Sequence, residues 1–187
     1  MILTSTKGRE ESMTDKWVEV NIHLNSYSRT NEVIATTVRR FVDELRTKDW
    51  IKSWHFFREP QIRLRFLGED ENIKEVKRYL ESELELLERT RGDLYSCHVF
   101  GCHGVRDKEY VGEADNWKGD WQLVTKIWEN TSEFTMRLIE KKPERPLEYH
   151  GERHVHLLLN QLGLDHLYCD TGTEMIIQYR RHKAPGE

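Results

Sequence analysis

The chain has 187 residues, carries 29 Lys and Arg against 33 Asp and Glu for a net charge of −4, and is 37% hydrophobic and 33% charged, with a mean hydropathy of −0.78. That length suits about one domain, the six Trp, seven Tyr and six Phe argue for a packed interior, and no apolar run approaches the ~20 residues of a membrane-spanning helix. The acidic balance speaks against a general nucleic-acid binder, the sparse cysteines (Cys97, Cys102, Cys169) exclude a disulfide framework and favour a reducing, cytoplasmic setting, and the N-terminus lacks the apolar stretch of a secretory signal.

Residues 1–15 are polar and aperiodic and read as a disordered lead. From Trp17 the pattern changes: Val18, Val20, Ile22 and Leu24 alternate with Glu19, Asn21 and His23, the period of a strand with one buried face. Thr30 or Asn31 then caps a helix with the stripe Ile34, Val38, Phe41, Val42 and Leu45. A second strand is predicted over Lys52–Arg58, a turn at Glu59-Pro60, and a third strand over Gln61–Leu67 with Ile62, Leu64 and Phe66 on one face. An amphipathic helix over Glu71–Arg89 and a fourth strand over Leu94–Phe100 follow.

That order, β-α-β-β-α-β, predicts an α+β, ferredoxin-like sheet with strand order 4-1-3-2 and both helices on one face. Beyond it, residues 101–117 read as a long irregular connection, a length that in a domain is often functional. Helices are predicted over Gly119–Glu140 (stripe Trp121, Val124, Trp128, Thr135, Leu138), Leu147–Gly163 (stripe Val155, Leu158, Leu159, Leu162) and Thr173–His182. This C-terminal helical section is expected to pack on the open sheet face, giving one composite domain over residues 16–183.

The strand alternation puts Glu19, Asn21 and His23 on the face away from the helices, beside Arg63 and Arg65. Residues two apart on a strand project in parallel about 7 Å apart, and paired guanidinium forks suit a carboxylate or phosphate. Such a face is either solvated, its arginines paired with Glu19, or a site. On the Leu147–Gly163 helix, His154 and His156 lie roughly 200° apart, so only one can face a given site. Glu152, His156 and Asn160 form a polar stripe, where a histidine either moves protons near neutral pH or hydrogen-bonds a neighbour. Cys97-His98 and Cys102-His103 match no standard zinc spacing, so no metal is expected.

WHFFREPQIRLRF (54–66) resembles the signature of the thiopeptide-type bacteriocin biosynthesis domain, which is also the C-terminal elimination domain of class I lantibiotic dehydratases. ERHVHLLLNQLGL (152–164) is similar to that family's histidine-bearing helix, and EADNWKG (113–119) sits where the family has a Glu-x-x-Arg-Tyr-Gly-Gly element. The resemblance spans residues 16–183. It implies a role in maturing ribosomally made peptides: elimination of glutamate from glutamylated Ser or Thr to leave a dehydroamino acid, a carbon–oxygen lyase reaction without a cofactor. By matching positions it makes Arg63, Arg65 and His156 catalytic, with Glu19, His23, Arg58, Asn116 and Asn160 completing a substrate-binding set.

The implied partners are a precursor peptide, a separate glutamylating dehydratase protein and, by analogy, a second copy of the chain; no membrane or nucleic acid is implied. Asn116 falls at the family's third arginine, and losing one cation from an anion-stabilising site costs on the order of 2–4 kcal/mol, or 10²–10³ in rate. That departure keeps two alternatives open, cyclisation of a dehydrated peptide to a pyridine ring and non-catalytic peptide binding.

Overall fold

The computed structural model describes residues 15–59, 61–113 and 120–161. Its organising element is strand β1 (Asp15–Leu24), which is covered on both faces from Val18 to Ile22. It pairs antiparallel with β3 (Gln61–Glu69) along one edge and with β4 (Tyr95–Phe100) along the other. Strand β2 (Ser53–Glu59) forms a hairpin with β3, Glu59 opposite Gln61. The sheet order β2-β3-β1-β4 is the predicted 4-1-3-2, and the architecture is α+β. The disordered lead predicted for residues 1–15 and the helix predicted at 173–182 lie outside the described residues, apart from Asp15, which opens β1.

One face of the sheet is the apolar core. Val20, Ile22, Ile62, Leu64 and Phe66 are buried there, beneath two helices. Helix α1 comprises an α-helical start (Thr30–Val33), a π-helical segment (Ile34–Val38) and a second α-helical segment (Arg39–Thr47). Within it the Thr36 hydroxyl donates to Glu32 O at 2.8 Å, a side chain competing with the regular ladder. Helix α2 (Asp70–Thr90) buries Ile73, Val76, Leu80 and Leu84, a stripe at helical spacing, and opens with Asp70 and Glu71 where the helix dipole favours carboxylates. Gly68 is required just before it, since a Cβ there would lie 2.4 Å from Trp50 O.

Helix α3 (Trp121–Lys141) packs along β2. The Phe56 N–H, on the outer edge of that strand, donates to Ser132 Oγ at 3.1 Å, and Ser53 Oγ donates to Glu129 Oε2 at 3.0 Å. Arg39 and Arg46 of α1 pair with Glu133, and Arg46 also reaches Glu129. The buried side of α3 is Val124, Thr125, Ser132, Met136 and Ile139. This corrects the predicted stripe, which ran through Thr135 and Leu138; polar Ser132 faces inward because the Phe56 N–H on the open edge of β2 needs an acceptor, while the buried Thr125 hydroxyl donates to Trp121 O within the helix. The chain divides into two compact units, Met1–Glu140 and Lys141–Glu187. Helix α4 (Leu147–Gln161) lies in the second, and Val155, expected on its apolar stripe, is exposed together with Leu157.

Candidate functional site

The second face of the sheet carries the polar alternates, and strand register sets them in rows. Glu19, Arg65 and His55 are neighbours across β1, β3 and β2, and Asn21, Arg63 and Phe57 form the next row. A solvated face was one of the two readings of this surface; the structure covers it instead. Glu19, Asn21, His55 and Arg65 are each no more than 2% exposed.

A buried charge must be paired and hydrogen-bonded, and this one is. Arg65 Nε donates to Glu19 Oε2 at 2.6 Å, and its Nη1 donates to Tyr110 Oη at 3.0 Å and to Glu113 Oε1 at 3.2 Å. The guanidinium lies over the Tyr110 ring at 3.9 Å and the Phe57 ring at 5.0 Å. The other Glu19 oxygen accepts the His103 N–H at 2.7 Å and Asn21 Nδ2 at 3.1 Å, while Asn21 Nδ2 also donates to Gly101 O at 2.8 Å. The ion pair therefore ties the 101–113 connection down onto the sheet. The chain leaves β4 through Gly101, whose φ of +140° and whose close approach to Val105 O, 1.9 Å from where a Cβ would sit, admit only glycine.

His55 is enclosed by aromatic rings, with Trp17, Phe57 and Trp128 centroids 4.9–5.4 Å away. Burial first and the neighbouring Arg65 charge second push its pKa down to about 3, so the ring is neutral at physiological pH. Burial likewise raises the Tyr110 phenol, which stays protonated and able to donate. Trp17 and Trp121 extend this aromatic cluster toward Tyr110.

Arg63 is different. It is half-buried, and its Nη1 lies 3.1 Å from Nδ1 of the exposed His103, a residue held at φ +54°. His23, two residues beyond Asn21, is also half-buried and sits opposite the exposed Cys97 of β4. The structure thus brings Glu19, Arg65, Arg63 and His23 onto one face. Arg58 is not with them: opposite Ile62, it belongs to the helix-covered side, and its guanidinium lies 5.8 Å from the Tyr27 ring. Asn116 lies outside the described residues. His156 and Asn160 belong to α4 in the second unit, and their side chains also lie outside the described set.

Sequence reasoning missed His55 and Tyr110, and it met Glu113 only as the start of the EADNWKG match and His103 only as a rejected zinc ligand. Alternation along SWHFFRE does put His55 and Phe57 on one face, but their partner strand and offset have no local signature. Tyr110 sits in an aperiodic connection, where no periodicity shows that Tyr110, Glu113 and His103 reach the sheet. Among the described residues there is no cluster of three or more His, Cys, Asp or Glu able to hold a metal ion, and no helix is long and apolar enough to cross a membrane.

A four-stranded antiparallel sheet with helices on its apolar face and a buried arginine network on the other defines a mixed α+β domain organised around a sheet-borne cation pair. The lantibiotic biosynthesis dehydratase C-terminal family matches residues 17–185, and the chain belongs to that family. Its place is therefore in the maturation of ribosomally synthesised, lantibiotic-type peptides. No curated protein and no solved structure matches the chain.

Proposed function

We propose that this protein eliminates glutamate from glutamylated Ser or Thr of a precursor peptide, acting after a separate protein that installs the glutamyl group. The observation that carries the reading is the pair Arg63 and Arg65: both lie in the stretch that resembles the family signature, and both project from one sheet face in adjacent rows. In the reaction the peptide α-carbon loses a proton to a base. The electron pair closes the Cα=Cβ double bond, and the Cβ–O bond breaks so that glutamate departs as a carboxylate.

The two arginines take different parts in this scheme. Arg63, half-buried and next to an exposed histidine, is the cation that a substrate carboxylate reaches, and a fixed cation there stabilises charge as it develops on the leaving group. Arg65, buried and held by Glu19, Tyr110 and Glu113, is a positioning residue. His156 is proposed as the proton acceptor on the strength of the resemblance of its helix. The precursor peptide, the glutamylating partner and a homodimeric assembly belong to the same proposal.

A second reading, a peptide-binding partner without catalysis, is favoured by one observation: Arg65 is 1% exposed and already paired with carboxylates. Intact-mass analysis separates the two. A precursor peptide carrying glutamylated Ser or Thr is incubated with the full chain. Conversion to the dehydro residue, lost in Arg63→Ala, is the expected result. Unchanged mass with saturable peptide binding sinks the lyase reading and leaves the binding one.

A further inference from the structure

The turn that follows β4 sets one imidazole on the arginine face. Gly101 N–H donates to Glu19 O at 3.1 Å, Cys102 N–H to Lys108 O at 2.7 Å, Gly104 N–H to Gly101 O at 3.2 Å and Val105 N–H to Cys102 O at 3.1 Å. Between them the His103 N–H donates to the buried Glu19 carboxylate at 2.7 Å. Every amide from Gly101 to Val105 is thus satisfied. The tip of the turn lies on the sheet, since Asn21 Cγ and Gln61 Nε2 are each 4.0 Å from where a Gly104 Cβ would sit. A backbone held in this way fixes the place of the side chain it carries.

His103 lies in the left-handed region, at φ +54°. Glycine or asparagine would serve the turn at least as well, so the use of the imidazole lies in what it touches. Its Nδ1 is 3.1 Å from Arg63 Nη1. A guanidinium offers only donors, so Nδ1 accepts and the neutral ring carries its proton on Nε2. That N–H has no acceptor among the described residues, and the side chain is exposed. The result is an oriented neutral donor beside a cation.

We infer that the His103 Nε2–H and the Arg63 guanidinium together hold a carboxylate, and that in turnover this carboxylate is the glutamate leaving the peptide. The second half rests on the elimination reading. As the Cβ–O bond breaks, its electron pair stays on the departing carboxylate, and the proton taken from Cα goes to the base. His103 keeps its own proton and contributes a hydrogen bond that strengthens as charge develops. It is thereby a catalytic residue with a part different from that of His156, the proton acceptor of the same scheme.

The test pairs binding with turnover on the full chain. Imidazole NMR spectra are recorded while free glutamate is added, the His103 signal being assigned by its loss in His103→Asn. A saturable shift of the His103 Nε2 signal is expected, and its loss in Arg63→Ala. Asparagine at this position tolerates the left-handed backbone and offers Arg63 an acceptor, but lacks the Nε2–H; His103→Gly relieves the backbone altogether. Both variants are expected to keep or raise the urea midpoint while lowering kcat on a glutamylated peptide about a hundredfold, with KM within about twofold of wild type. A side chain needed only for the turn behaves the other way, its loss lowering the midpoint. An Nε2 signal unmoved by glutamate, wild-type kcat in both variants, or a fall in kcat matched by a lower midpoint overturns the inference. Glutamate bound at His103 with no conversion of peptide by wild type upholds the carboxylate pair and sinks elimination. Conversion indifferent to His103 sinks the pair and leaves elimination standing.

Discussion

Replacing Arg65 by alanine separates what the buried network does for the fold from what the arginine pair does for chemistry. The substitution removes the Nε donor 2.6 Å from Glu19 Oε2 and leaves a carboxylate with no exposed side-chain surface, held only by the His103 N–H and Asn21 Nδ2. Stripping one partner from a buried ion pair costs about 3–5 kcal/mol, and the lost packing against Tyr110 and Phe57 adds on the order of 1 kcal/mol. Arg63→Ala changes a half-buried side chain and is expected to cost about 1 kcal/mol. Urea unfolding followed by tryptophan fluorescence measures both, since Trp17 lies 5.7 Å from Tyr110 within the affected cluster. With a slope of about 2 kcal/mol/M, Arg65→Ala lowers the midpoint by roughly 2 M and Arg63→Ala by about 0.5 M. Equal midpoints for the two variants would refute the reasoning, because they would mean that Glu19 finds water or another partner as readily as it finds Arg65. Confirmation carries a practical consequence: loss of elimination in Arg65→Ala says nothing about catalysis until the fold is shown intact, whereas loss in Arg63→Ala does.

Other consequences follow from the same geometry. His55, with its pKa depressed to about 3 against about 6.5 unfolded, binds a proton only in the unfolded chain between those values. Its contribution to stability is therefore full above about pH 6.5 and is lost at about 1.4 kcal/mol per unit as pH falls; between pH 6.5 and 5, wild type should lose about 2 kcal/mol more than His55→Phe in parallel urea titrations. Ser132→Ala leaves the buried Phe56 N–H without its acceptor and is expected to cost about 1–3 kcal/mol, whereas Ser132→Thr, which keeps the hydroxyl, costs less. Gly101→Ala puts a Cβ 1.9 Å from Val105 O at φ +140°; a destabilisation of about 3 kcal/mol and faster hydrogen exchange at the His103 amide are expected, and unchanged exchange there would contradict the tie to Glu19. Glu113→Gln, at the one carboxylate partner of Arg65 that is partly exposed, should lower kcat for a glutamylated peptide by up to roughly tenfold with KM little changed, because Arg65 orients rather than binds; a lowered KM would show instead that substrate and Glu113 compete for Arg65.

The legible part of this molecule was the part whose signal is local. Alternation in WVEVNIHL and QIRLRF placed Val20, Ile22, Leu64 and Phe66 in the core, and the order of elements then set the strand arrangement. Alternation also put Arg63, Arg65, Glu19 and Asn21 on one face. It carried no information about what covers that face, because the cover comes from residues 45 to 84 positions away: His103 on Glu19, Gly101 on Asn21, and Glu113 and Tyr110 on Arg65. Helix α3 shows the converse error. Apolar periodicity rotated its buried stripe onto Thr135 and Leu138, because Ser132 is buried for a polar reason that a hydrophobicity pattern reads as exposure. The π-helical segment at Ile34–Val38 had no visible precursor, since the Thr36 hydroxyl that bonds Glu32 O is acceptable in an ordinary helix as well.

The two arginines of the RLR element share a face and a spacing, yet the fold has buried them to different degrees. Around Arg65 stand two carboxylates, Glu19 at 2.6 Å and Glu113 at 3.2 Å, so its charge is compensated before any substrate arrives, and its fork is oriented rather than offered. Arg63, one row on, is half-buried, and its Nη1 lies 3.1 Å from Nδ1 of the exposed His103. A site that stabilises a departing carboxylate needs a cation that is pre-oriented and still able to respond to new negative charge. Burying one arginine to hold the 101–113 connection, and with it His103, against the sheet meets the first need. On the proposed elimination reading, the half-buried Arg63 serves the second. The same hydrogen bonds therefore serve fold and site together, so substitutions on this face are read correctly only when stability and turnover are measured on the same variant.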